Sequence, residues 1–426
     1  MPVLRLKPVP AYLLFTGGFA FLFSLAITIN LIYQTQAAGL SPLQLLLVGT
    51  VLEGTIFACE VPTGVLADVR GRRLSVVVGL FLTGAGMVLT GIYAHFWMIL
   101  LAQLVWGCGS TFLSGAQQAW IADEIGVELV GPVYMRASQV DQLLRILAIP
   151  VSIGLATLTL GLPLIVAGCL MPVLGVYLLL AMPEEGFKRN IEAGERISLR
   201  RLGATTVAGG KFIRSSPLLI TLFTITMFYG IANQGFDRLW VAQFYDNLGF
   251  PHFHMLKPVI WFGVIRFGSA VLSIFAVEYA RRRVDMNSHD SVSRWLFAIT
   301  GLQMLSLLVF ALAGSFWLGA LVVWSAISLS RVYDPLLLAW INQNVPREVR
   351  ATVISMSNQT NSIGQISGGP VLGIISTLTT LRAALVTSGL VMTPALALYT
   401  RAFGQGIKPI TAAEGESEAT IPELDC

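Results

Sequence analysis

Long apolar stretches, separated by short polar connections, run through almost the whole sequence. A helix needs about 20 apolar residues to cross the hydrocarbon core of a bilayer, which is close to the length of each stretch. The pattern therefore predicts an all-α polytopic membrane protein with twelve transmembrane helices. The twelve spans are expected at 11–36, 43–67, 74–94, 96–122, 133–158, 162–182, 217–245, 256–280, 295–313, 316–341, 351–377 and 383–402.

One connection is much longer than the others and divides the spans into two sets of six. It covers residues 183–216 and carries seven Lys and Arg residues. We predict a six-helix bundle at 1–182, a cytoplasmic linker at 183–216 and a second six-helix bundle at 217–403. The last residues, 404–426, contain several acids and no apolar periodicity, which is typical of a disordered tail.

The composition excludes an ordinary soluble protein. Charged residues make up 12% of the chain, whereas about a quarter of a soluble domain is charged. The net charge is +4, but the basic residues lie in short clusters beside the spans, so they indicate topology and not nucleic-acid binding. Most of the 27 Lys and Arg residues fall on the side of the N-terminus, and Lys257 and Arg382 fall opposite. Both termini are therefore predicted to be cytoplasmic, in the plasma membrane.

Every third span has no charged residue in its interior. Spans 2, 5, 7, 8 and 10 contain ionisable residues, whereas the interiors of spans 3, 6, 9 and 12 contain none. An ionisable group that faces lipid costs several kcal/mol, so the uncharged spans are expected to face lipid while the others line an interior. Groups of three spans, each ending in an uncharged span, occur in both halves of the chain. This recurrence indicates internal repeats, as in secondary transporters.

The end of span 2 carries a motif, EVPTGVLADVRGRR at 60–73, in which glycines, an acid and arginines are regularly spaced. Its spacing resembles the signature that follows the second transmembrane helix in the major facilitator superfamily. The residues that carry the resemblance are Gly64, Asp68, Gly71, Arg72 and Arg73.

The resemblance implies that this motif is a conformational hinge. In the family the motif acid contacts the start of the eleventh helix, which here begins near Arg350 and Ala351, and the arginines bind neighbouring acids. In the family these contacts keep the transporter closed on one side of the membrane. The residues alone also allow a simpler interpretation, in which 70–73 is a basic topology signal.

Further stretches in both halves are similar to drug exporters of the same superfamily, including its proton-coupled macrolide exporters. They are SGAQQAWIADE at 114–124, FDRLW at 236–240, PLLLAWINQNVPREVRATVISMSNQ at 335–359 and GQISGGPVLG at 364–373. The resemblance implies alternating access and an antiporter that couples efflux of a small amphipathic compound or drug to proton entry. Uptake of a small metabolite, or a transporter-like sensor or scaffold that moves nothing, remain as alternatives.

Four charged residues inside the spans are candidates for proton coupling. Glu53 is the first, because no Lys or Arg lies within one turn of it and an apolar medium disfavours a charged carboxyl group. Asp237 is the second. Asp141 and Arg145 are four residues apart in span 5 and can pair along one helix face. The alternative for Glu53 is a neutral side chain that is hydrogen-bonded between helices.

Polar side chains on the faces of several spans are the substrate candidates. They are Asn30 and Gln34 in span 1, Gln117 in span 4, Tyr229 and Asn233 in span 7, and Trp324, Arg331 and Asp334 in span 10. Polar stripes also serve close helix packing, and intramembrane charges such as Asp237, Arg266, Arg331 and Asp334 also form structural ion pairs, so these interpretations stay open.

The sequence lacks the common signatures of enzymes. Gly209, Gly210 and Lys211 are followed by Phe212 and lack the earlier glycine of a phosphate-binding loop, which argues against ATP hydrolysis. His252 and His254 lie in a connection with no further ligand nearby, so no metal site is expected. We therefore predict a protein that is not an enzyme, uses no cofactor and draws on a proton gradient. Its expected partners are a small-molecule substrate and the lipid bilayer, with no nucleic acid, and it is expected to be a monomer.

Overall fold

The computed structural model describes residues 6–126, 128–184, 186, 217–251, 256–286, 288–345 and 347–402. The described residues form fourteen α-helices and a π-helical turn. In chain order the helices are α1 (Pro8–Gln36), α2 (Pro42–Arg70), α3 (Arg72–Ile92), α4 (Phe96–Leu113), α5 (Ala116–Ile125), α6 (Val130–Leu158), α7 (Leu162–Ala181), α8 (Pro217–Gln243), α9 (Pro258–Arg283), α10 (His289–Leu312), α11 (Phe316–Asn344), α12 (Arg347–Leu378), α13 (Leu381–Leu390) and α14 (Thr393–Ala402). Nearly all of the predicted linker and the whole of the predicted tail lie outside the described residues.

The predicted spans correspond to these helices, and the all-α fold is confirmed. By length and hydropathy, eleven segments of the described chain can cross a membrane. The remaining predicted span, the eleventh in the chain at 351–377, forms α12, which is 32 residues long but more polar, because Ser, Asn, Gln and Gly fill much of 355–369.

Spans 4 and 12 each consist of two α-helices, and span 7 ends in a π-helical turn. Span 4 changes direction between α4 and α5 at Gly115, whose φ of 73° is a left-handed conformation that favours glycine. Span 7 continues from α8 into the π-helical turn at Phe244–Leu248. Span 12 breaks between α13 and α14. These interruptions are local, so the path of each span still crosses the bundle.

Helix starts follow from local sequence. Ser41 and Gln44 form a capping box at α2, in which each side chain accepts from the other residue's backbone N–H. Pro42 occupies the first turn, where its missing N–H has no helical partner to lose. Ser315 and Thr380 cap α11 and α13 in a similar way through their hydroxyl oxygens.

The helices pack as two groups. In the first group α3 lies against α4 and α7, while α1 lies against α6 and α7. Small residues allow the closest approach: a Cβ added at Gly84 or at Gly168 would come within 2.6 Å of the other residue's carbonyl oxygen. In the second group α8 packs on α12, and α11 packs on α9 and α10.

The two groups meet through α2 with α12 and through α6 with α9. We call the end of the bundle that carries Gly71 the motif side and the other end the distal side. On the distal side, Lys257 Nζ donates to the Thr157 carbonyl oxygen at 2.7 Å, and a Cβ added at Gly263 would come within 2.6 Å of Ile153. The distal side is therefore closed by direct contact between the groups.

Candidate functional site

The hinge motif binds its own helix group through two arginines. Gly71 ends α2 with a φ of 109°, a left-handed conformation, and turns the chain directly into α3. Arg72 Nη1 then lies 2.6 Å from Asp123 Oδ2 in α5. The backbone N–H of Arg73 donates to Glu184 Oε1 at 2.9 Å, and its guanidinium donates to the Met182 carbonyl oxygen at 3.2 Å. The turn thus joins α3 to the ends of α5 and α7.

The remaining motif residues give less structural information. The side chain of Asp68 lies outside the described residues, so its contact with the start of α12 stays a prediction. A Cβ added at Gly64 would meet no heavy atom of the described chain within 4 Å. Arg350 at the start of α12 donates to the carbonyl oxygens of Asn342 and Val345. The two helix groups are therefore not held together at Gly64.

A cavity of about 410 Å³ lies between the two groups. Six helices position its lining: α1 and α2 from the first group, and α8, α9, α11 and α12 from the second. The charged residues that line it are Glu53, Asp237, Arg238, Arg266, Arg331 and Asp334. The uncharged ones include Ile27, Asn30, Leu31, Tyr229, Asn233, Gln234, Phe236, Trp240, Ile327, Ser330 and Gln365. We call this the central cavity.

The charges of the central cavity face one another without direct pairing. Asp237 is accessible from the cavity and lies in the electrostatic field of Arg238, Arg266 and Arg331. Asp334 interacts in the same way with Arg331, one turn away on α11. Within the described part of the chain, none of these five residues forms a direct salt bridge. Their charges are thus available to a solute, as well as to one another.

Glu53 lies where the two groups touch. Its Oε2 accepts a hydrogen bond from Ser362 Oγ of α12 at 3.3 Å. Arg238 of α8 is its nearest electrostatic partner of opposite charge, and Arg238 is pressed against Gly49, so closely that an added Cβ would overlap the guanidinium. The carboxyl group therefore belongs both to the cavity wall and to the contact between α2 and α12.

A second cavity of about 760 Å³ extends from the central cavity towards the motif side, between α6 and α9. Asp141 and Arg145 of α6 line it and form a bidentate salt bridge, with Nε 2.7 Å from Oδ2. The lining reaches Ser138 and Glu278, near the motif-side ends of the two helices. We call this the vestibule. The protein is thus open towards the motif side while it is closed on the distal side.

The structure places five of the eight substrate candidates on the central cavity: Asn30, Tyr229, Asn233, Arg331 and Asp334. Tyr229 is held there by stacking on Tyr333, with ring centroids 4.1 Å apart, and by a hydrogen bond from Gln303 at 3.0 Å. The role of each residue in binding stays a prediction.

Three substrate candidates are not among the lining residues of the two cavities. Gln34 is fully buried and donates to Asn30 Oδ1 at 3.1 Å, so it supports a residue of the cavity wall. Trp324 donates to the Ile265 carbonyl oxygen at 2.9 Å and packs between α9 and α11. Gln117 lies in α5, beyond the break at Gly115. The sequence showed that these polar residues share one face of a helix. It could not show whether that face lies against the cavity or against another helix.

Several lining residues were not among the sequence candidates. Arg238 and Arg266 are intramembrane charges, and that signal alone could have selected them. Gln365 lies in the polar part of α12, and this polarity was a second signal, since a polar face in a membrane span indicates an interior position.

Comparison with known proteins gives the same fold. The family model for the Major Facilitator Superfamily matches residues 13–326. The uncharacterized MFS-type transporter YxaM of Bacillus subtilis (strain 168) is 22% identical over 367 residues, which cover 84% of this chain and 87% of the relative.

Solved structures agree over almost the whole chain. The nucleoside transporter NupG superposes with a TM-score of 0.71 at 14% identity and covers 95% of this chain and 100% of its own. The peptide transporter POT in complex with sulfate superposes with a TM-score of 0.69 at 16% identity and covers 94% of each chain. At this identity the likeness shows the fold alone. Together with the family model, it shows that the chain belongs to the Major Facilitator Superfamily of membrane transporters.

Proposed function

We propose that this protein is a proton-coupled secondary transporter that exports a small amphipathic compound, such as a drug, across the plasma membrane by alternating access. The observation that carries the proposal is a charged cavity between two helix groups that touch on one side and are open on the other. A solute in such a cavity reaches the opposite side once the contacts exchange sides. The proposed transporter acts as a monomer and uses no cofactor.

The sidedness rests on the distribution of Lys and Arg. The connections on the motif side carry most of these residues, including Arg70, Arg72, Arg73 and 281–283, so this side is assigned to the cytoplasm. The described conformation is then open to the cytoplasm, from which an exporter loads its substrate. The hinge contact between Asp68 and the start of α12 would form when this side closes.

Glu53 is the proposed coupling residue because protonation would change a contact between the groups. As a carboxylate it accepts from Ser362 and faces Arg238 and Asp237. A bound proton removes the charge that faces Arg238 and makes the carboxyl group a donor. A ligand shifts a conformational equilibrium only if it interacts differently with the two states, and a group at this contact meets that condition. Asp237, Asp141 and Arg145 are the other proposed coupling residues.

Flux in proteoliposomes with an imposed pH gradient tests this function. We expect gradient-driven movement of at least one compound from a panel of amphipathic drugs, in the direction opposite to the protons. Movement with the protons would support metabolite uptake instead. Absence of flux for the whole panel would contradict the exporter function and favour a sensor or scaffold.

The coupling role is tested by Glu53→Gln in the same vesicles. The amide keeps a hydrogen-bonding side chain but cannot exchange a proton, so pH-driven flux should fall to the level of protein-free vesicles while substrate binding persists. Glu128→Gln changes an exposed glutamate between α5 and α6, outside both cavity linings, and is the matched control that should retain flux. Normal pH dependence in Glu53→Gln would remove Glu53 from the coupling mechanism.

A further inference from the structure

The two cavities share a junction that is formed by four side chains. Ile27, Arg266, Ile327 and Arg331 line both the central cavity and the vestibule. A solute that enters the central cavity from the motif side therefore passes between the guanidinium groups of α9 and α11. Among the described residues, no carboxylate belongs to both linings, so the charges at the junction are those of the two arginines.

Both arginines line the two cavities, and within the described part of the chain neither forms a direct salt bridge. Arg266 lies over the ring of Trp240, with Cζ 5.3 Å from the ring centroid. Stacking fixes the plane of the guanidinium but leaves its N–H edge for hydrogen bonds. Among the described residues, the buried Nε of Arg266 has no hydrogen-bond partner. Arg331 is exposed to the cavity.

The charges around the junction leave room for an anion. Arg266 and Arg331 repel each other, while Asp237 attracts Arg266 and Asp334 attracts Arg331 from the central cavity. Arg238 lines the central cavity but not the vestibule, and it interacts electrostatically with Asp237 and Glu53. Among the described residues, three arginines and three carboxylates line the central cavity, and two of these arginines but none of the carboxylates lie at the junction. An oxyanion between two guanidinium groups relieves their repulsion and accepts charge-assisted hydrogen bonds.

The central cavity also has apolar lining residues. Leu31, Phe236 and Trp240 are among them, and so are Ile27 and Ile327 at the junction. A volume of about 410 Å³ is in the usual range for a cavity that binds a small organic molecule. The cavity thus offers an apolar surface beside two arginines.

From this juxtaposition we infer that the transported compound is an amphipathic organic anion, whose oxyanion is bound by Arg266 and Arg331 and whose apolar body lies against Trp240 and Phe236. The oxyanion is a carboxylate, sulfonate or phosphonate, which share planar or tetrahedral acceptors for arginine. This inference rests on the proposed transport function, and it narrows that function to one class of substrate.

Binding to the purified protein in detergent tests the inference without any gradient. The probes are aromatic and aliphatic carboxylates, sulfonates and phosphonates, each paired with its neutral amide and with an amine of matched shape. Thermal stabilisation identifies the compounds that bind, and titration gives their Kd. We expect one or more anions to bind at least tenfold more tightly than their paired amides and amines.

Variants then locate the anion. Arg266→Gln and Arg331→Gln should each weaken the anion by about 10-fold to 100-fold, since each removes a charged hydrogen bond, and should leave the paired amide unchanged. Arg331→Lys, which keeps the charge but not the two-pronged geometry, should give a smaller loss. Arg294→Gln, an exposed arginine of α10 outside both linings, is the matched control and should bind like the parent protein.

Three results would overturn the inference: no anion of the panel binds, amines or amides bind as tightly as the anions, or anion binding is unaffected in both glutamine variants. Tight binding of amines would assign recognition to Asp237 and Asp334 instead. Proton-driven flux of a cation or neutral compound would leave the transport function intact while it contradicts the anion. Anion binding without flux would support the anion site and contradict the transport function.

Discussion

The arginines that follow α2 and those in the last turn of α9 occupy equivalent places in the two helix groups, but they bind different partners. After α2, Arg72 and Arg73 bind Asp123 and Glu184, which lie far away in the chain. In the last turn of α9, Arg281 and Arg282 both bind Glu278 of their own helix, at 2.7 Å and 2.6 Å.

A glycine accounts for this difference. Gly71 ends α2 in a left-handed conformation, so the next residues start a new helix and project towards α5 and the end of α7. No glycine lies between Glu278 and Arg281, and α9 continues through Arg283, so the arginines stay within reach of an acid three or four residues earlier. A turn residue thus decides whether a basic cluster becomes a tertiary contact or remains a local one.

The largest difference is expected in transport. Asp68→Asn should abolish flux at near-normal expression, because the proposed contact with the start of α12 needs a charge near a helix N-terminus. Asp285→Asn changes an exposed acid in the equivalent connection after α9 and should leave flux near the parent level. Flux measured in the same vesicles checks both variants. Full activity in Asp68→Asn would break the comparison, as would loss of activity in Asp285→Asn.

A smaller effect is expected on stability from the two motif glycines. Gly71→Ala forces a side chain into a φ of 109° and should reduce the free energy of unfolding by about 1–3 kcal/mol. The new Cβ would also lie 2.9 Å from Glu184 Oε1, but that carboxyl group can move. Gly64→Ala adds a Cβ in open space within α2 and should be neutral or stabilising by about 0.5–1 kcal/mol. Thermal unfolding in detergent measures both, and equal Tm values would show that the turn conformation is not under strain.

The smallest difference is expected between the arginines themselves. Arg72→Gln removes a salt bridge whose side chains are 20% and 33% exposed, and should cost about 1–2 kcal/mol of unfolding free energy. Arg282→Gln removes one of two arginines from Glu278 where the arginine is 72% exposed, and should cost about 0–1 kcal/mol. Denaturation of both variants against the parent protein gives the values. An equal loss for the two arginines would mean that the tertiary contact adds nothing to a local one.

Much of the fold could be predicted because its signal is local. The lengths of the apolar stretches predicted the transmembrane spans, since a helix needs about 20 apolar residues to cross a bilayer. The break at Gly115 and the π-helical turn at Phe244–Leu248 were not predicted, because neither interrupts the apolar pattern. The polar character of α12 could be read from the sequence, but its contact with Glu53 could not.

The candidate site was predictable as a set of charges and not as an arrangement. Asp237, Arg331 and Asp334 were identified because ionisable residues inside a bilayer are costly and lie in interiors. Gln34 lies on the same helix face as Asn30, and Trp324 on the same face as Arg331. Gln34 nevertheless only supports Asn30 from the interior of the protein, and Trp324 packs between α9 and α11. The rotation of each helix against its neighbours decides this, and it depends on packing over the whole bundle.

The sequence by itself determined that this chain is a bundle of membrane helices, which spans have charged interiors, and where the glycine, acid and arginine motif at 60–73 lies. These properties follow from transfer free energies and backbone conformation, which act residue by residue. The tertiary structure alone decided that Arg266 and Arg331 form a junction, that Glu53 bonds across to Ser362, and that the arginines after Gly71 bind distant acids. Such contacts join residues far apart in the chain, so they exist only once the two helix groups have packed together.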